Sequence, residues 1–200
     1  MTKRSRSAAL TILGAAAFTL AGCEEEKTDA RAFPDRAACE AAAETGAAEG
    51  TAWFTAADCA TAFATAEAEH LETAPRYESK ELCEAEHGAA ACAADPAVAP
   101  GSGMGASFLP LIAGYMLGSA LGGGRGVSSQ PLVRSAGGGF STPDGSTKLS
   151  TNSGGGRIGA AAFNRAAPTI GKAPMSNADV ARRGGFGTSG AGRTSTGTGG

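Results

Sequence analysis

Four cysteines and two histidines carry most of the chemistry this chain could perform. Cys39, Cys59, Cys83 and Cys92 all fall between Glu24 and Asp95, with His70 and His87 among them. A thiol can form a disulfide, ligate a metal or attack a substrate, and spacing decides which. Zinc sites use four ligands and usually tight cysteine pairs. The nearest grouping here is Cys83, His87 and Cys92, of which Cys83 and His87 are four apart and could share one helical face. A fourth ligand is lacking, so a metal-binding or redox factor built on that trio is the minor reading. His70 has no nucleophile or acid spaced to work with it and reads as a half-buried helix-face residue rather than a base. No catalytic residue, metal or cofactor is expected, and the chain reads as a protein that is not an enzyme.

Cys23 stands apart. Lys3, Arg4 and Arg6 precede an apolar run from Ala8 to Leu20, and small residues close it at Leu20-Ala21-Gly22-Cys23. That is the order of a secretory signal. At about 13 residues the run falls short of the roughly 20 needed to span a bilayer. Leu-Ala-Gly-Cys resembles the lipobox of bacterial lipoproteins. The resemblance implies a diacylglycerol on the Cys23 thiol, cleavage just before it and acylation of the new amine. Two or more acyl chains anchor stably where one holds only marginally. Glu24 occupies the place where an inner-membrane retention signal often puts Asp, so the outer membrane facing the periplasm is favoured. The expected partners are membrane lipid through acylated Cys23, an envelope protein of unknown identity and a second copy of the chain.

In an exported chain, four remaining cysteines read as two disulfides. Large apolar side chains are few between Glu24 and Asp95, and a core that thin needs covalent staples. Three cysteines share one setting: "FPDRAAC", "WFTAADC" and "YESKELC" each place an aromatic, then a cap residue two on, then Cys four further. Asp35, Thr55 and Ser79 are good helix N-caps, and Thr55 with Asp58 resembles a capping box. Helices are expected after each cap, stopping near Gly46, Pro75 and Gly88. Each cysteine then sits one turn in, with the preceding aromatic folded over that turn. Four cysteines allow three connectivities. Cys39–Cys59 with Cys83–Cys92 is favoured because it ties neighbours without crossing.

The charge distribution divides the chain. Glu24 to Asp95 holds 17 acids and 5 bases, a net of −12, whereas Pro96 to Gly200 holds 2 acids and 9 bases, a net of +7. Of 31 glycines, 26 lie at or after Gly101. From Pro96 to Gly124 there is no charge, and Gly114, Gly118 and Gly122 recur every fourth residue. On a helix they form a small-residue stripe that would let two copies approach closely and self-associate. After Gly124 no period of 2 or 3.6 persists, so that part is expected to stay disordered. "ARRGGFG" looks like a nucleic-acid element, but an exported chain meets no RNA, and no nucleic-acid partner is expected.

The expected organisation is a signal over 1–22, an acidic helical head over 23–96, a glycine-zipper segment over 97–124 and a basic tail over 125–200. The fold class is a small, mostly α, disulfide-stapled head with a long Gly-rich disordered C-terminal tail. Five pieces in order, "LAGCE", "TAPRYESKELC", "LPLIAGYMLGSALGGG", "SSQPL" and "RGGFG", resemble the YgiB-like proteins of Gram-negative bacteria, a family of unassigned function. The resemblance implies an envelope protein and adds no catalytic residue. The function expected is that of a structural or interaction lipoprotein of the cell envelope, self-associating at the membrane.

Overall fold

The computed structural model describes residues 26–98, 106–119 and 126–182. Its framework is a six-stranded antiparallel sheet rather than a helical head with a loose tail. The first strand, β1 (Lys27–Phe33), leads into helices α1 (Arg36–Glu49), α2 (Ala56–Thr73) and α3 (Lys80–His87). Two short strands, β2 (Cys92–Ala94) and β3 (Phe108–Pro110), pair in a small second sheet. Then come β4 (Ile112–Ser119), β5 (Val127–Arg134), β6 (Phe140–Ser141), β7 (Lys148–Leu149) and β8 (Gly154–Gly159). A 3-10 turn over Ala160–Phe163 and helix α4 (Asn177–Arg182) complete it. The large sheet runs β7-β6-β5-β4-β1-β8.

The expected helices form where the caps place them. Asp35 accepts from the Ala38 amide at 2.8 Å, Thr55 and Asp58 close a reciprocal capping box, and Ser79 accepts from the Leu82 amide at 3.1 Å. α1 runs past Gly46 to Glu49 and ends at Gly50, whose φ of +69° is one that glycine tolerates best. The aromatic ahead of the cap is buried in two copies, Phe33 and Tyr77. In the middle copy Trp53 is 37% exposed and its neighbour Phe54 is buried instead.

The mostly α expectation fails on β1 and on the strands that follow residue 106. β1 alternates exposed and buried positions, with small Thr28, Ala30 and Ala32 turned inward. Its register places Ala30 opposite Gly118 of β4 on one side and opposite Gly156 of β8 on the other. The expected disordered tail supplies four of the six strands, the 3-10 turn and α4. The head, middle and tail therefore share one sheet, and no boundary at 96 or 124 divides separate folding units.

The helical glycine stripe is likewise overturned. Gly114 and Gly118 lie on β4, and Gly122 is outside the described residues. A spacing of four returns to one face of a strand as well as of a helix, since successive strand residues alternate. Both glycines are used inside the chain. A Cβ on Gly114 would lie 2.6 Å from the Phe33 carbonyl, and one on Gly118 would lie 2.4 Å from the tip of the Phe163 ring. Tyr115 and Leu117, on the other face of β4, pack with Phe33, Phe54, Cys39 and Cys59 under the helices. β4 is thus covered on both faces, which accounts for its apolar run.

Replacing Gly118 by Leu should force Phe163 from its seat. The expected loss is about 2 kcal/mol, within the range for overpacking a filled interior. A second change, Phe163→Ala, should restore part of it. Urea denaturation of the two variants checks this, and an unchanged midpoint for Gly118→Leu would contradict the packing described.

Candidate functional site

Two disulfides fix the cysteines that the sequence singled out. Cys39 and Cys59 join the first turns of α1 and α2, and Cys83 and Cys92 join α3 to β2. The Cα separations are 5.8 and 6.1 Å, ordinary for a bridge. The first bridge is fully buried against Phe33, Phe54 and Tyr115. The second sits with Tyr77, Leu82 and Val180. A thiolate ligand set at Cys83, His87 and Cys92 is therefore not assembled, because the two sulfurs bond each other. Among the described residues no group of three His, Cys, Asp or Glu side chains could hold a metal ion. Cys23 lies outside the described residues.

Both histidines are deeper than half-buried. His70, in the last turn of α2, is 4% exposed, and its Nε2–H donates to the Pro110 carbonyl at 2.8 Å. That contact fixes the neutral tautomer and leaves Nδ1 buried without a partner. Burial above all drives its pKa down to about 4, with the nearby Arg76 and His87 charges acting the same way and the Pro110 contact opposing. A carbonyl-bound imidazole of this kind pins α2 to the end of β3, and its remaining nitrogen is buried.

Next to it lies a buried ion pair. Arg76 Nε donates to Asp95 Oδ2 at 2.6 Å, and both side chains are almost wholly covered. Burial alone would push the Asp95 carboxyl up. The Ala97 amide, the Arg76 guanidinium and the Ser107 hydroxyl outweigh that and hold it below the usual range. Arg76 spends its other donors on the Leu71 and Ala74 carbonyls and on the Thr169 hydroxyl. Every charge has a partner, as a buried pair requires, so this is a strap between α2, β2 and the segment before α4.

The densest convergence of ionisable groups is at α3. Tyr77 Oη is 2.5 Å from Glu86 Oε2 and 2.8 Å from His87 Nε2, and His87 Nδ1 is 2.7 Å from the Arg134 carbonyl of β5. All three side chains are buried. They border a recess of about 240 Å³ that Ser135, Ser141, Pro143, Asp144 and Gly145 complete. Both ring nitrogens of His87 are engaged, so the trio is a closed relay and not a base aimed at the recess. His87 was singled out by sequence, but Tyr77 and Glu86 were not. Tyr77 was visible only as the aromatic before a cap, and Glu86 only as one acid among many.

The His70 geometry has a pH consequence. Above pH 6.5 imidazole is neutral folded and unfolded alike, and burial carries no charge penalty. Below that value the unfolded chain takes up a proton which folded His70 refuses until about pH 4, so stability falls across this window by about 3 kcal/mol. His70→Gln, which keeps an amide N–H for Pro110, should remove this part of the decline. Equal acid profiles for the two chains in chemical denaturation would contradict the assignment.

No solved structure matches this chain. It is similar to a UPF0441 protein of Pectobacterium carotovorum subsp. carotovorum (strain PC1) and to another of Pectobacterium atrosepticum (strain SCRI 1043). Each is 37% identical over 134 residues, covering 64% of this chain and 56% of the relative. The chain thus spans little more than half the length of the curated relatives it matches. A family model matches residues 27–197, from the first residue of β1 to beyond α4. The likeness read from the sequence motifs is borne out, and the chain belongs to the family described as "Protein of unknown function (DUF1190)".

Proposed function

We propose that the chain is a lipid-anchored protein of the bacterial cell envelope whose folded unit serves as an interaction module rather than an enzyme. The observation that carries the reading is the position of Leu20-Ala21-Gly22-Cys23, which closes the apolar run just ahead of Lys27, the first residue of β1. Four residues of extended chain reach at most about 14 Å. Acyl groups on Cys23 would therefore hold the Lys27 end of β1 close to the lipid surface. Two buried disulfides support an exported, oxidising location. Glu24 favours the outer membrane, with the fold facing the periplasm.

The proposal assigns no catalytic residue and no cofactor. Its partners are lipid, through Cys23, and an envelope protein. Gly114 and Gly118 are spent within the fold and offer no stripe to a second copy.

Changing Cys23→Ser should abolish labelling with palmitate and move the protein from the membrane to the soluble fraction. Peptide mapping without reductant should still find Cys39–Cys59 and Cys83–Cys92 in the variant, because Cys23 precedes the sheet. A Cys23→Ser chain that still incorporates palmitate and stays with membranes would overturn the lipoprotein reading.

A further inference from the structure

The trio at α3 has a proton count that ordinary ionisation does not satisfy. The Arg134 carbonyl can only accept, so His87 Nδ1 carries a hydrogen and donates across the 2.7 Å contact. Tyr77 Oη has one hydrogen and two close neighbours, Glu86 Oε2 at 2.5 Å and His87 Nε2 at 2.8 Å. If Tyr77 donates to Glu86, Nε2 must donate to Tyr77, and the ring is an imidazolium. If Tyr77 donates to Nε2, the Glu86 oxygen must carry the hydrogen that joins it to Tyr77. Both arrangements hold one proton more than a neutral imidazole, a phenol and a carboxylate together. Without that proton, lone pairs face each other across one of two buried contacts, which is costly where water cannot intervene.

We propose that Glu86, Tyr77 and His87 form a proton-dependent latch that holds α3 against the large sheet, closed with one extra proton bound and released when it is lost. The contacts at stake join separate elements. His87 reaches β5 through Arg134, and the Glu86 carbonyl accepts from the Ala136 amide at 2.8 Å. Tyr77 pairs with Phe108 of β3 and with Met175. Behind them lies the Cys83–Cys92 bridge, in the same cluster as Tyr77. Opening the latch would uncover that bridge.

Among the described residues, the other charged groups near the trio are engaged elsewhere or exposed, and Lys148 of β7, paired with the recess residue Ser141, is engaged as well. His70 of α2 is already neutral between pH 6 and 9. Arg76, just before Tyr77, is held by Asp95. Arg134 of β5 is exposed. Asp144, in the turn between β6 and β7, keeps its charge across this range. On α3 itself Lys80 pairs with Glu84 at 3.6 Å, and Glu81 is exposed.

The sign of the effect follows from where the proton is held. The unfolded chain releases its histidine proton near pH 6.5, whereas the closed latch keeps one to higher pH. Stability from the latch is therefore complete below about pH 6.5 and lost as pH rises, with the unfolding constant increasing up to tenfold per pH unit. The test is chemical denaturation of the whole, disulfide-intact chain from pH 6 to 9, beside Tyr77→Phe and His87→Gln. The wild-type profile should fall with rising pH and both variants should be flatter. Parallel wild-type and Tyr77→Phe profiles would overturn the latch. Should both variants fail to fold, an indicator dye can count protons released when the wild-type chain unfolds at pH 7.5. Release of about one proton supports the latch, and release of none overturns it.

Discussion

The structure depends on β1 being paired on both sides. Ala30 through Phe33 meet β4, and Lys27 through Ala32 meet β8. These three strands come from the acidic first part, the uncharged middle and the basic last part of the chain, so this half of the sheet forms only when all three have arrived. The same strand leads directly into α1, so the helices hang from it. A chain with a net charge of −12 in one part and +7 in the next is well suited to bringing its ends together, because unlike charges reduce the repulsion that a compact acidic head would suffer alone.

Closeness of backbone, more than bulk, fills the side of the sheet turned away from the helices. Ala30, Ala32 and Met116 meet Leu132 and Ala162 there, and the Phe163 ring closes over Gly118. The helix side relies on aromatic packing instead: the Phe33 ring lies 5.6 Å from Phe54, and the Tyr115 ring 5.4 Å from Phe63. The Cys39–Cys59 bridge is buried in that cluster. With so few large side chains, buried polar groups carry much of the specificity. The His70–Pro110 contact, the Arg76–Asp95 pair and the Tyr77 trio each join a helix or its flank to a strand or a later segment. A partly satisfied polar network is worse than an apolar core, and this constrains how the last third of the chain can pack.

The helices and the staples were legible in the sequence, because Asp35, Thr55 and Ser79 act within their own first turn and the cysteines follow one turn later. Such signals are local. The strands were not legible, for reasons visible in particular residues. The spacing of Gly114 and Gly118 fits a strand face and a helix face equally well. β8, Gly-Gly-Gly-Arg-Ile-Gly, has almost no side-chain pattern, and its place is set by the ladder to β1. β5 begins Val-Ser-Ser-Gln, where Ser129 donates to the Ala62 carbonyl of α2 at 2.8 Å and Gln130 donates to Glu69 at 3.1 Å. Polar residues used inward look from sequence like a solvated tail. The trio at α3 was hidden because Tyr77, Glu86 and Arg134 are brought together only by the docking of α3 onto β5.

If β1 is the element on which the parts depend, they should open as one unit. Native-state amide hydrogen exchange tests this directly. Amides of Ala30 to Ala32 in β1, of Met116 and Leu117 in β4 and of Ala62 and Ala66 in α2 should share one opening free energy, equal to that of global unfolding. Helical amides that stay protected at free energies above those of β1 would show that the stapled helices hold together without the sheet, and would contradict the account.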